Sequence, residues 1–93
     1  MQLTIVRSRR FKKSYKRVSK HKGFNRKVFI HIAEQLATKQ KLDRKYKDHK
    51  LMGVLARYRE CHISPDILLI YKIDNDVLTL TLVNIGNHSN LFT

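Results

Sequence analysis

Ile67-Leu68-Leu69-Ile70-Tyr71 is an unbroken apolar run in a chain of 93 residues. A continuous run of this length, bounded by turn signals, reads as a central strand covered on both faces. Ser64-Pro65-Asp66 precedes it as a turn, since proline presets φ and Ser and Asp bond their own backbone. Asp74-Asn75-Asp76 follows it as a tight hairpin turn. Upstream, Ala56, Tyr58, Glu60 and His62 alternate against Arg57, Arg59, Cys61 and Ile63. Downstream, residues 77–85 set Leu78, Leu80 and Leu82 against Thr79 and Thr81, and Gly86 breaks the strand. Strands joined by such short turns pair antiparallel.

The first half has a different period. Leu3, Ile5 and Val6 suit a short opening strand, and Ser8 can cap a helix after it. Phe11, Tyr15 and Val18 then recur at helical spacing, and Lys22-Gly23 is expected to end the helix with glycine in the left-handed position. Asn25 can cap a second helix, whose stripe of Phe29, Ile32, Ala33, Leu36 and Ala37 carries it to about residue 40. Residues 41–53 read as a charged loop closed by Gly53. The expected order is β-α-α-β-β-β. That is an α+β domain over residues 1–93, an antiparallel sheet with a two-helix hairpin on one face.

Charge is segregated along this order. The chain nets +13, with 20 Lys and Arg against 7 Asp and Glu. Residues 1–50 carry a net +14 and residues 51–93 a net −1. Eleven Lys and Arg fall between Arg7 and Lys27 with no carboxylate among them. Such a face attracts phosphate and makes nucleic-acid binding steeply salt-dependent. No apolar run reaches the length that spans a bilayer, and no signal-peptide core is visible. The lone Cys61 cannot form an internal disulfide. The expectation is a cytoplasmic domain with a polyanionic partner and no membrane association.

The residues suited to proton transfer gather in the near-neutral half. His49, His62 and His88 each flank a strand end, where a sheet can bring them together with Glu60 and Asp66. Glu60 and His62, two apart on one strand, point to the same face. A carboxylate beside an imidazole orients its tautomer for acid–base work near neutral pH. The plainer reading is a solvated polar strand face. His21 and His31, on the helices, read as structural or solvated. Cys61 and His62 point to opposite faces, and no Cys-x-x-Cys or His-x-x-x-His spacing exists, so no metal site is expected. Tyr46, Tyr58 and Phe92 are placed to stack on unpaired bases.

Several segments in register resemble a known family. Tyr46-Lys47-Asp48-His49-Lys50-Leu51-Met52-Gly53, Tyr58-Arg59-Glu60-Cys61-His62-Ile63, Pro65-Asp66-Ile67-Leu68-Leu69-Ile70-Tyr71-Lys72 and Gly86-Asn87-His88-Ser89-Asn90-Leu91-Phe92 are similar to the loop, central strands and tail of YafQ-type toxins, in the RelE-like superfamily. The resemblance implies a messenger-RNA endonuclease that acts in the ribosomal A site without metal or other cofactor. It also implies a cognate antitoxin that wraps and inhibits it. By motif it implies an active site of His49, Glu60, His62, Asp66, His88 and Phe92, with Glu60 standing where the family pattern usually has Asp. On this reading His88 is the general acid, Asp66 or His49 the base, and His62 steadies the phosphate. Phe92, Tyr58 and Tyr46 would hold the codon, and Arg9, Arg10, Lys12, Lys13, Lys16, Arg17 and Lys20 would dock on ribosomal RNA. Arg59, on the opposite face from Glu60, is structural or antitoxin-facing. The competing readings are a non-catalytic RNA- or DNA-binding module and an inactive homologue that only binds antitoxin.

Overall fold

The computed structural model describes residues 2–91. Strand β1 (Thr4–Arg7) leads into Ser8, whose hydroxyl accepts from the Phe11 N–H at 3.0 Å and so caps helix α1 (Arg9–Val18). The same hydroxyl donates to the Val83 carbonyl at 2.7 Å, which pins the start of α1 to strand β5 (Thr79–Gly86). Asn25 caps helix α2 (Arg26–Ala37), accepting from the Lys27 and Val28 N–H groups. Phe11, Tyr15, Phe24 and Phe29 interleave between the helices, with Tyr15 and Phe29 ring centres 5.3 Å apart. Such pairs contribute about 0.5–1.5 kcal/mol each beyond area burial.

Both helices end with the last residue of their apolar stripes, short of the expected stops at Lys22-Gly23 and about residue 40. Helix α1 ends at Val18, and Gly23 does not adopt positive φ. Helix α2 ends at Ala37 because Lys39 takes the left-handed conformation (φ 61). The Lys39 and Gln40 N–H groups then return to the Leu36 and Gln35 carbonyls at 3.0 and 2.9 Å. This double closure satisfies the last carbonyls of the helix. It is worth enough to hold a lysine where glycine is usual.

The five-stranded sheet runs β1-β5-β4-β3-β2. Strands β3 (Arg59–Ser64), β4 (Ile67–Asp74) and β5 form the expected antiparallel meander. The sheet is nevertheless mixed, because β1 pairs parallel to β5, Thr4 opposite Thr79. A two-residue strand, β2 (His49–Lys50), pairs antiparallel with β3 inside what reads as loop. Strand β3 begins at Arg59, since single 3₁₀ turns occupy Arg44–Tyr46 and Gly53–Leu55. Only Gly53 needs its residue type there, at φ 66. Strand β5 begins at Thr79 because Leu78 (φ 49) belongs to the turn, where Asp74 accepts from the Asp76 N–H at 3.0 Å. One further helical turn, α3 (His88–Leu91), folds back over the Gly86 end of β5.

The alternation divides the sheet into two environments. Cys61, Ile63, Leu69, Tyr71, Leu80, Leu82 and Ile85 face the helices and join Leu3, Phe11, Val18, Ile32 and Leu36 in the core. Glu60, Leu68, Ile70 and Asn84 are buried on the other side. The central strand is thus covered on both faces. Among the described residues, no helix is long and apolar enough to cross a membrane.

Candidate active site

The functional cluster grows from strand register. His49 on β2 lies directly opposite Glu60 on β3, and His62 follows two residues along. Period-two geometry therefore sets all three side chains on the face away from the helices. Glu60 Oε1 lies 3.8 Å from His49 Nε2 and 3.6 Å from His62 Nε2. The Glu60 side chain is only 8% exposed, against 51% for His49 and 25% for His62. A sunken carboxylate thus sits between two imidazoles that reach toward solvent.

The tautomer of His49 follows from its other nitrogen. Nδ1 lies 2.7 Å from the Lys47 carbonyl, which can only accept, so Nδ1 carries the proton. Nε2 is left to present a lone pair or, when protonated, to donate toward Glu60.

His62 and Glu60 open into a cavity of about 740 Å³, whose rim includes Ser64, Pro65 and Asp66 from the β3–β4 turn. Asn87 and His88 close another side. The Asn87 side chain accepts from the Asn90 N–H at 2.8 Å, which shapes the turn that carries His88. The fold thus gathers Glu60, His62, Asp66 and His88 around one cavity, with His49 joined through Glu60. Asp66 and His88 are exposed.

Arg17 and Val18 at the end of α1, and His21 and Gly23 just beyond it, also line this cavity. His21 is exposed, in keeping with its expected structural or solvated role, but its place on the cavity has no sign in the sequence. The early end of α1 turns the chain back over the sheet, and helical periodicity carries no sign of that. Arg9, Arg10, Lys12, Lys13, Lys16, Arg17 and Lys20 are all exposed, and among the described residues none is paired with a carboxylate. Tyr46 departs from its expected place. It is 9% exposed and part of the core, with Lys45 over its ring, so its faces are not open to a base. Tyr58 is half-buried and lines none of the cavities described here. Phe92 lies outside the described residues.

Arg59 is occupied on the helix-facing side. Its Nη2 donates to Asp48 Oδ2 at 3.0 Å, and its Nε approaches Tyr71 Oη at 3.3 Å. Tyr71 donates a short hydrogen bond to Asp48. Hydrogen bonding to Asp48 raises the Arg59 pKa; burial and the same carboxylate push the Tyr71 phenol up. Burial, and then the Asp48 and Glu60 charges, push the Cys61 thiol up to about 12.

Residues 3–93 match the model of a family described as the bacterial toxin of type II toxin–antitoxin systems, YafQ. The chain belongs to the YafQ family. It is 32% identical over 93 residues to the mRNA interferase toxin YafQ of Escherichia coli BL21(DE3), covering 99% of this chain and 98% of that one. Its fold superposes on a metal-bound toxin from Helicobacter pylori with a TM-score of 0.89 and 48% identity, over 97% and 99% of the two chains. It superposes on YafQ in the E. coli DinJ–YafQ complex with a TM-score of 0.85 and 30% identity, over 99% and 100%. Metal binding belongs to the H. pylori protein as described. Here, among the described residues, no group of three or more His, Cys, Asp or Glu could hold a metal ion.

Proposed function

We propose that this YafQ-family toxin is an endoribonuclease that cleaves messenger RNA in the ribosomal A site by acid–base catalysis. The observation that carries this reading is the sunken Glu60 carboxylate held between His49 and His62, beside a cavity shared with Asp66 and His88. RNA supplies its own nucleophile. A base takes the 2′-hydroxyl proton and the oxygen attacks the adjacent phosphorus. An acid then protonates the departing 5′-oxygen, leaving a 2′,3′-cyclic phosphate and a free 5′-hydroxyl. His88 serves as the acid. His49 serves as the base: its Nδ1–H is committed to Lys47, so its Nε2, 3.8 Å from Glu60 Oε1, carries the lone pair that takes the proton. Asp66 is the competing base, since it shares the cavity with His88. Glu60, within 3.8 Å of both Nε2 atoms, stabilises each imidazole once it is protonated, and His62 contacts the phosphate. Each positioned acid or base is worth about 10²–10⁴-fold in rate.

Every step uses side chains alone, so chelation with EDTA should leave cleavage unchanged. The exposed basic face of α1 docks on ribosomal RNA, and the ribosome holds the substrate. The same charge is the surface an acidic cognate antitoxin would cover; the E. coli homologue forms a complex with DinJ. The test is inducible expression of wild type and His88→Ala, with messenger 5′ ends mapped on translating ribosomes. Wild type should cut within codons and His88→Ala should not, while both bind antitoxin. A fully toxic His88→Ala protein would overturn the catalytic reading. A protein that binds RNA without cutting it would favour the non-catalytic alternative.

A further inference from the structure

We propose that Asp48 is a positioning residue for His49, acting from the opposite face of the sheet; this rests on the catalytic reading of His49. Strand β2 has only two residues and lies at the sheet edge, too little ladder to fix a side chain by itself. Lys47, immediately before it, is held in the left-handed conformation (φ 50), which costs a non-glycine residue about 1–2 kcal/mol. Something must hold this segment in place, and Asp48 does. Its two oxygens take Arg59 Nη2 at 3.0 Å and Nε at 3.4 Å, while Tyr71 donates to the same carboxylate.

Arg59 and Tyr71 are register partners across β3 and β4, so the anchor is the middle of the sheet. Asp48 and His49 are adjacent and point to opposite faces. Fixing Asp48 toward the helices therefore fixes His49 toward Glu60. It also holds the Lys47 carbonyl where His49 Nδ1–H donates, which sets the tautomer. A misplacement of about 1 Å in such an arrangement can lower a rate by about 100-fold.

The test compares full-length wild type, Asp48→Asn, Tyr71→Phe, His49→Ala and the Asp48→Asn/His49→Ala pair. Two quantities are read: single-turnover cleavage on programmed ribosomes, and the His49 ring ¹⁵N shifts. Asp48→Asn should lower the maximal rate 10- to 100-fold with little change in the concentration for half-maximal rate. The His49 Nδ1–H signal should give way to a mixture of tautomers. Tyr71→Phe should act in the same direction and more weakly. Adding Asp48→Asn to His49→Ala should cause no further loss. A wild-type rate with an unchanged His49 tautomer in Asp48→Asn would overturn the proposal, as would fully additive losses. If His49→Ala cleaves normally, the catalytic reading of His49 fails, while the ring shifts still decide whether Asp48 orders it.

Discussion

Raising the pH should destabilise this protein through Cys61. The thiol is fully buried on the helix-facing side of β3, and its pKa is pushed from 9.0 to about 12. In the unfolded chain the thiol ionises near its ordinary value, so from about pH 9 the unfolded state is increasingly favoured. The stabilisation is complete below pH 9 and is lost as pH rises toward 12. Linkage gives about 1.4 kcal/mol per pH unit, hence on the order of 3 kcal/mol by pH 11. Against a typical domain stability of 5–15 kcal/mol that is a large fraction. Cys61→Ala removes the titration and leaves a small void, costing about 1 kcal/mol at neutral pH. Urea unfolding of both proteins from pH 7 to 11 under reducing conditions should then give curves that cross near about pH 10. Lysine titration affects both equally and drops out of the comparison. Parallel curves, with the variant less stable throughout, would show that the thiol is hydrated in the native state and that the helix-facing side is not dry.

The mirror-image environment across the strand makes a catalytic prediction. His62→Gln should lower cleavage by about 10²–10³-fold, the loss expected for one donor to the phosphate, with an unchanged melting temperature, checked by single-turnover cleavage and circular dichroism. Replacing Lys12 and Lys13 together by Gln should reduce the salt dependence of ribosome binding by about two charges' worth, read as the slope of log affinity against log salt. Asn25→Ala should destabilise the fold by about 1 kcal/mol, because two N–H groups lose their acceptor, measured by urea unfolding.

Local chemistry made much of this legible. Ser8 and Asn25 cap the helices they precede, and the apolar run at Ile67–Tyr71, bounded by turns on both sides, lies inside the sheet. The Glu60–His62 pairing followed from strand period alone. What escaped the sequence depends on distant partners. His49-Lys50 has no strand signature of its own; it pairs because Asp48 is tied to Arg59 and Tyr71, 11 and 23 residues away. The parallel edge exists only because β5 offers β1 a free flank. Tyr46 sits in a polar, charged stretch that suggests an open ring for stacking on a base, yet packing draws it into the core. His21 reaches the cavity through the turn after α1, which helical periodicity does not encode.

The parallel pairing of β1 with β5 also sets an order of events in the making of the toxin. Thr4 has no partner until Thr79 exists, and the Ser8 hydroxyl has no carbonyl to donate to until Val83 does. During synthesis the first strand and helix emerge long before the strand that anchors them, so a nascent chain carries an exposed basic helix but no finished sheet. His88 lies beyond that strand and takes its place at the cavity later still. A polypeptide cut short before β5 would therefore lack both its anchor and its proposed proton donor. The ribosome that makes the toxin would be spared until the last strand has left it.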